Sequence, residues 1–185
     1  MVYVLLGNGF EAIEALAAVN TLRRGGAEVM MAGIGGMTVA SSHNIQVAAD
    51  VAVEDVALAQ GDMVVLPGGL GGVASIEGSE SAMKLVRQAR ADASMWLGAI
   101  CAAPTLLARA GLIGNGDHAV CYPGMEGEMT AVGVTAHMDE SVVVDGKLIT
   151  GRAPGSAYDF GLKLLEAVKG TETAEQVRLD MHYKA

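Results

Sequence analysis

A cysteine follows a run of apolar residues and precedes two alanines and a proline, a pattern typical of a nucleophile at the end of a strand. The segment reads Trp96-Leu-Gly-Ala-Ile-Cys-Ala-Ala-Pro104 and places Cys101 at the break. It predicts a strand, a sharp turn at the cysteine and a helix beyond it. We expect this elbow to push the thiol into solvent beside the positive helix N-terminus, where its pKa would fall. The alternative interpretation is an inert core cysteine, since free cysteines are often buried.

Two carboxylates open the helix that follows the first predicted strand. Glu11 and Glu14 come shortly after the apolar run Val2–Leu6 and fall in the first helical turn, where the helix dipole favours acidic side chains. We interpret Glu11 as an ordinary first-turn acid. Because ligands of an open parallel sheet gather at the carboxyl ends of its strands, Glu14 is expected to face Cys101 across one crevice. There it would take the thiol proton or, when protonated, donate a hydrogen bond to the thiolate.

A proline and four glycines end another apolar strand, Met63–Leu66, in the sequence Pro67-Gly-Gly-Leu-Gly-Gly72. Glycines at a strand end allow a tight turn and present backbone N–H groups to a ligand. The run lacks the Lys-Ser/Thr of a phosphate-binding loop, and Gly33-Ile-Gly-Gly36 is not a dinucleotide-binding motif, so no cofactor is predicted. We expect either a plain turn or an oxyanion site formed by the N–H groups of Gly69 and Ala102.

Strand-like and helical segments alternate along the chain. The predicted strands are Val2–Leu6, Val29–Ala32, Met63–Leu66 and Met95–Ile100, and the predicted helices are Glu11–Gly25, Ser79–Asp92, Pro104–Ala110 and Ser156–Val168. The alternation predicts a flavodoxin-like α/β sandwich, a mostly parallel sheet with helices on both faces. Residues 36–53 are expected to add a hairpin. The tail Glu172–Ala185 has apolar residues at helical spacing, which suits a docked core helix or a cover for the crevice or an interface.

Composition narrows the classes of function. The 185 residues are 51% hydrophobic and 18% charged, which fits one domain spanning residues 1–185. The net charge of −9 and the lack of a basic stripe in the sequence argue against a nucleic-acid partner. The first apolar run is too short for a signal peptide or a membrane span, so we expect no membrane partner and a cytoplasmic protein. Its two cysteines need no disulfide.

Other metal and redox candidates in the sequence are weaker. Cys121 could resolve an oxidised Cys101, but we favour burial in the core. The chain has four histidines, which are His43, His118, His137 and His182. Their spacing is not that of a metal-binding motif, and His137-Met-Asp-Glu140 offers at most a weak ligand pair, so no metal is predicted.

Four motifs in register resemble the ThiJ/DJ-1/PfpI superfamily, and its DJ-1/YajL-like branch in particular. They are Gly9-Phe-Glu-Ala-Ile-Glu14, Val64-Val-Leu-Pro-Gly-Gly69, Ala99-Ile-Cys-Ala-Ala-Pro104 and Arg152-Ala-Pro-Gly-Ser156. The resemblance runs from residue 2 to about residue 170 and implies a homodimer.

The resemblance also implies roles for single positions. Cys101 is similar to the family's reactive, easily oxidised cysteine and Glu14 to its carboxyl partner. The flanking backbone donors would be Gly69 and Ala102, and the pocket would be lined by Gly68, Tyr122, Pro154 and Gly155.

Two positions depart from the family pattern. Tyr122 stands where many DJ-1-like members carry a histidine near the cysteine, so proton transfer would rest on Glu14 or water. His43 stands where relatives often carry arginine, in a segment that resembles a dimer contact.

Three functions fit these residues. The first is a cofactor-independent glyoxalase or deglycase of stress defence, in which the Cys101 thiolate adds to a 2-oxoaldehyde or its protein adduct, Glu14 moves the proton, and two backbone amides hold the oxyanion. The partner would be a small reactive carbonyl or a glycated protein. The second is a non-enzymatic redox sensor or chaperone whose Cys101 is oxidised to sulfinic acid. The third is a cysteine hydrolase or amidase, which needs a histidine base near Cys101.

Overall fold

The computed structural model describes residues 1–184, which form a central sheet, two small accessory sheets and seven α-helices. In chain order the elements are β1 (Val2–Leu6), α1 (Ala12–Arg24), β2 (Val29–Gly33), β3 (Thr38–Ala40), β4 (Gln46–Ala48), β5 (Val51–Ala52), β6 (Met63–Leu66), α2 (Leu70–Gly78), α3 (Glu80–Ala91), β7 (Trp96–Ile100), α4 (Ala103–Arg109), β8 (His118–Ala119), α5 (Glu126–Thr130), β9 (Thr135–Ala136), β10 (Val142–Asp145), β11 (Leu148–Gly151), α6 (Ala157–Lys169) and α7 (Thr171–Asp180).

The central sheet has the strand order β10-β11-β7-β6-β1-β2-β5. Its neighbours pair in parallel, except that β10 runs antiparallel to β11. Helices cover both faces, as predicted, with α2, α3 and α4 over one core and α1, α6 and α7 over the other. Successive strand residues point to opposite faces, so in β6 Val64 packs into the first core and Val65 into the second. Because both faces of the sheet are buried, these strands are apolar throughout.

Segments outside the alternating pattern were harder to assign. The expected hairpin within residues 36–53 is confirmed as β3 and β4, which pair antiparallel. The sequence did not predict α2, the β8–β9 pair, the edge strand β10 or its neighbour β11. In the tail, Ala174 and Val177 are buried in the core beneath α7, which confirms the docked helix; Ala185 lies outside the described residues.

The glycine-rich run does more than make a turn, because α2 begins within it. A side chain on Gly72 would bring its Cβ to 2.6 Å from the Phe10 Cα, and one on Gly9 would reach 2.8 Å from the Gly71 Cα. These glycines therefore let α2 approach the loop between β1 and α1. That approach brings the carboxyl ends of β1 and β6 together, beside the end of β7. No helix within residues 1–184 is long and apolar enough to cross a membrane.

Candidate active site

Cys101 forms the predicted elbow between β7 and α4. Its φ of 65° lies in the left-handed region, which non-glycine residues seldom adopt. Two backbone hydrogen bonds hold the turn: the Cys101 N–H donates to the Gly151 carbonyl at 2.9 Å, and the Tyr122 N–H donates to the Cys101 carbonyl at 2.9 Å. The surrounding chain thus fixes a strained backbone, a feature that clusters at functional sites.

The elbow does not push the thiol into solvent, and that expectation was wrong. Cys101 is only 8% exposed and packs into the core beneath α1. Burial, the charge of Glu14 and a hydrogen bond to Glu14 raise the pKa of Cys101 to about 12, while N–H groups of Ala102 and Gly69 act in the opposite direction. The predicted fall in pKa is therefore also wrong, because burial and a neighbouring carboxylate outweigh a helix of seven residues.

Glu14 is the carboxyl partner of this thiol. It is 1% exposed, and its Oε2 accepts a 2.7 Å hydrogen bond from the Gly68 N–H. Its Oε1 is buried without a hydrogen-bond partner among the described residues. Burial raises the pKa of Glu14 to about 7, although hydrogen bonds from Cys101 and Gly68 lower it in part. The Glu14 carboxyl can therefore be either protonated or charged near neutral pH, beside a thiol that keeps its proton.

Gly68 sets the spacing of this pair. A Cβ at this position would lie 2.6 Å from the Glu14 Oε2, 2.6 Å from the Cys101 Cβ and 3.0 Å from the Cys101 Sγ. The carboxyl and the thiol thus meet over a residue that has no side chain. Any larger residue would push them apart.

A cavity of about 480 Å³ opens above the thiol. It is lined by Glu11, Gly69, Leu70, Cys101, Ala102, Tyr122, Pro123, Gly124, Met125 and Pro154. Among the predicted pocket residues, Tyr122 and Pro154 lie in this lining, Gly68 lies beneath it beside Glu14, and Gly155 is exposed outside it. The structure therefore brings Cys101 and both predicted backbone donors to one cavity.

Residues 1–167 match the model of the DJ-1/PfpI family. The chain belongs to the DJ-1/PfpI family.

Individual DJ-1 proteins resemble the chain over nearly its whole length. Protein dj-1beta of Drosophila melanogaster is 39% identical over 176 residues, which are 94% of this chain and 92% of that protein. Its crystal structure, at 36% identity, superposes with a TM-score of 0.92 over 100% of this chain and 98% of that chain, which confirms the flavodoxin-like fold class. Oxidized DJ-1 of Toxoplasma gondii gives a TM-score of 0.90 at 30% identity, with 100% of this chain and 98% of that chain covered. The glutathione-independent glyoxalase DJR-1.2 of Caenorhabditis elegans is 32% identical over 162 residues, which are 88% of this chain and 84% of that protein.

Glu11 has a larger part in this DJ-1/PfpI site than that of a first-turn acid. It caps α1, with its carboxylate accepting from the Ile13 N–H at 3.5 Å, and it also lines the cavity. The hydroxyl of Ser42 donates to its Oε2 at 3.0 Å, and the Nδ1 of His43 lies 3.8 Å from the same oxygen. The hairpin that carries His43 thus contacts the cavity wall.

Cys121 is buried in the core on the opposite side of the sheet from Cys101. Its Sγ lies 3.5 Å from the Tyr122 carbonyl oxygen, and burial, together with Glu126 and Glu128, raises its pKa to about 12. This placement confirms the interpretation of Cys121 as a core residue.

Arg109 joins the two helices that carry opposite rims of the cavity. From α4, its Nε and Nη2 donate to both oxygens of Glu77 on α2, at 3.2 and 3.0 Å. Its Nη1 donates to Glu128 on α5 at 2.6 Å. Leu70 at the start of α2 and Met125 before α5 line the cavity, so this clamp holds their relative position. No sequence pattern predicted it, since Arg109 and its two partners lie on three separate helices.

Proposed function

We propose that this protein is a cofactor-independent glyoxalase or deglycase of stress defence, with 2-oxoaldehydes or their protein adducts as substrates and Cys101 as nucleophile. The observation that supports it most is the buried pair of Glu14 and Cys101 over Gly68, beneath an open cavity. The name of the relative DJR-1.2, a glutathione-independent glyoxalase, supports the same chemistry.

The resting pair has a thiol beside a carboxylate whose pKa is about 7. As the sulfur adds to the aldehyde carbon, Glu14 takes the thiol proton and the carbonyl oxygen becomes an oxyanion. The N–H groups of Gly69 and Ala102 face the sulfur, so they can reach an oxygen on the carbon bonded to it. Protonated Glu14 then delivers its proton to that oxygen, which gives a neutral hemithioacetal.

The same carboxyl can complete turnover. Glu14 removes the hydrogen on the former aldehyde carbon as a proton, and the neighbouring carbonyl oxygen takes up a proton, which gives an enediol. A proton is then delivered to the neighbouring carbon while the hydroxyl on the first carbon loses its proton, so that the product is a thioester of a 2-hydroxy acid. Water then hydrolyses the thioester and restores the thiol. One carbon is oxidised and its neighbour reduced, so the reaction needs no external oxidant or cofactor.

The cavity walls favour small neutral carbonyls. Leu70, Met125 and Pro154 give apolar contact area, while Glu11 places a carboxylate in the lining. A chain with a net charge of −9 also repels anions. Tyr122 is 45% exposed at the rim, where its phenol can donate a hydrogen bond to the second carbonyl oxygen.

The test is methylglyoxal consumption and lactate formation by the reduced protein and three variants. Glu14→Gln should lose about a hundredfold or more of the rate, the usual range for a lost proton-transfer group. Cys101→Ser removes the nucleophile and should lose at least as much. Cys121→Ser removes the other thiol and should keep the parental rate. An unchanged rate in Cys101→Ser would rule out this proposal.

A redox sensor is the second candidate. Its support is the ring of donors around the sulfur, since the N–H groups of Gly69 and Ala102 and a protonated Glu14 would all stabilise a sulfinate. Mild peroxide should then add two oxygen atoms to Cys101, which intact mass spectrometry detects. A Cys101 that stays unmodified would count against this candidate. Hydrolysis has less support, because the described residues that line the cavity include no histidine to act as base.

We also propose a cytoplasmic homodimer. Ile13, Met37 and Ile45 are exposed apolar side chains on α1 and around the β3–β4 hairpin, and a partner copy would bury them. Both cysteines are free thiols, which suits a reducing compartment. Light scattering should give twice the chain mass for the parent and the single chain mass for Ile45→Asp; a parent of single chain mass would refute the dimer.

A further inference from the structure

The fold brings together two histidines that lie far apart in the sequence. His118 is in β8 and His137 follows β9, and the His118 Nδ1 lies 2.7 Å from the His137 Nε2. The ring centroids are 5.0 Å apart and the ring planes differ by 31°. The sequence predicted no metal because spacing along the chain was the criterion, whereas this pair forms through strand pairing.

The main chain holds both residues in place. His118 pairs with Thr135 in the parallel β8–β9 register, and the His137 N–H donates to the Ala119 carbonyl at 2.9 Å. The His118 N–H donates to the Asp145 carboxylate at 2.8 Å, which ties β8 to the sheet edge at β10. The backbone positions of the two imidazoles are thus fixed before any ligand arrives, which reduces the entropy lost on binding.

We propose that His118 and His137 form a two-histidine chelate for a borderline divalent transition metal, with Cu²⁺ preferred over Ni²⁺ and Zn²⁺. Neutral imidazole nitrogens are good ligands for all three ions, and affinity rises toward Cu²⁺. Nitrogens bound at right angles, about 2.0–2.1 Å from a metal, lie about 2.9 Å apart, whereas a tetrahedral site needs about 3.3 Å. The observed 2.7 Å is close to the right-angled, cis spacing, so both nitrogens can reach one ion, and the preference for Cu²⁺ follows from the order of affinities.

Binding replaces the hydrogen bond between the rings. Each neutral ring uses the nitrogen that now faces its partner as a ligand, and the ring proton between them moves to the other nitrogen of its own ring through solvent. Among residues 1–184, no group of three or more histidine, cysteine, aspartate or glutamate side chains is placed to hold a metal ion. The remaining positions therefore go to water, and the ion exchanges with solvent instead of stabilising the fold permanently. The negative net charge of the chain attracts such cations.

The experiment uses Cu²⁺ alone as the probe on the full-length Cys101→Ser protein, in which the cavity thiol no longer competes. Electron paramagnetic resonance should show one tetragonal Cu²⁺ per chain with hyperfine splitting from two nitrogens. His118→Gln and His137→Gln should each weaken binding at least tenfold, since even outer-shell changes cost about 10–100-fold at metal sites. The double variant should bind little more weakly than either single variant, because the chelate is already lost.

His182→Gln is the matched control, because it removes an exposed histidine from the turn after α7 and should leave affinity and spectrum unchanged. The nitrogen count is read on a protein with both histidines intact, so it stands even if a variant folds poorly. The chelate would be overturned by a spectrum that shows one nitrogen ligand, or by a double variant that binds Cu²⁺ as tightly as the protein with both histidines. The Cys101 chemistry proposed above is unaffected by either result.

Discussion

Replacing Glu14 by glutamine should separate the reactivity of the Cys101 thiol from substrate turnover. The carboxylate of Glu14 raises the pKa of Cys101 through its charge and a hydrogen bond, although burial is the larger cause. Glutamine keeps the shape and can still accept the Gly68 N–H, but it carries no charge. A neighbouring charge shifts a pKa by roughly one to three units, and the lower end corresponds to about a tenfold rise in thiolate.

The rise in thiolate caused by Glu14→Gln should be larger at high pH than at low pH. Because the pKa of Glu14 is about 7, its carboxyl is charged mostly above pH 7 and neutral mostly below it. Alkylation of Cys101 by iodoacetamide should therefore be about tenfold faster in Glu14→Gln above pH 7, and similar to the parent well below it. Intact mass spectrometry at a series of pH values measures both rates, with Cys121→Ser as the control that assigns the labelled thiol.

Turnover should change in the opposite direction, since glutamine cannot carry a proton between the sulfur and the substrate. Methylglyoxal consumption by Glu14→Gln should fall about a hundredfold or more at the pH where alkylation rises. Slower alkylation in the variant above pH 7, or a gain of equal size at every pH, would refute the reasoning about the shared charge.

Three further predictions concern stability and the cavity rim. Burial raises the pKa of Glu14 from 4.5 to about 7, so the unfolded chain releases this proton at lower pH than the folded chain. The free energy of unfolding therefore falls by up to about 3 kcal/mol as the pH rises between these two values. In calorimetry, the Tm of Glu14→Gln should be roughly 5–10 °C above that of the parent above pH 7, and equal to it below pH 4.5. Gly68→Ala should lose about 1–3 kcal/mol in denaturant titrations together with turnover, whereas Gly78→Ala, whose Cβ would meet nothing within 4 Å, should lose neither. Arg109→Met should lower the free energy of unfolding by about 0.5–1 kcal/mol, because its ion pairs are exposed. It should raise KM more than it lowers kcat, because it frees the rim and leaves the thiol in place; steady-state kinetics that show the reverse would contradict the clamp.

Local sequence patterns were sufficient to predict the strands and the turn that position the candidate site. The strands that end before Gly68 and Cys101 are buried on both faces, so their apolar runs are easy to recognise and their ends define the cavity edge. The break from an apolar strand to small residues and Pro104 identified the elbow, because this signal also lies in neighbouring residues of the sequence. The site at this edge then follows from the geometry of parallel sheets.

Other properties depend on packing between distant segments, which no local pattern reveals. The pKa of Cys101 is raised by burial and by Glu14, and both effects follow from how closely the chain packs over Gly68. The glycines of α2 weaken helix propensity, yet tertiary packing against Phe10 selects a helix there. His118 and His137 meet through strands of two residues, which are too short for any periodicity.

The backbone bonds at the elbow also affect when the site can form during synthesis. Cys101 leaves the ribosome well before Tyr122 and Gly151, the two residues whose main chains hold its left-handed conformation. An incomplete chain thus carries the thiol without the geometry that sets its reactivity, because long-range pairing comes late in folding. Translation order therefore delays assembly of the reactive cysteine until nearly the whole sheet has been made.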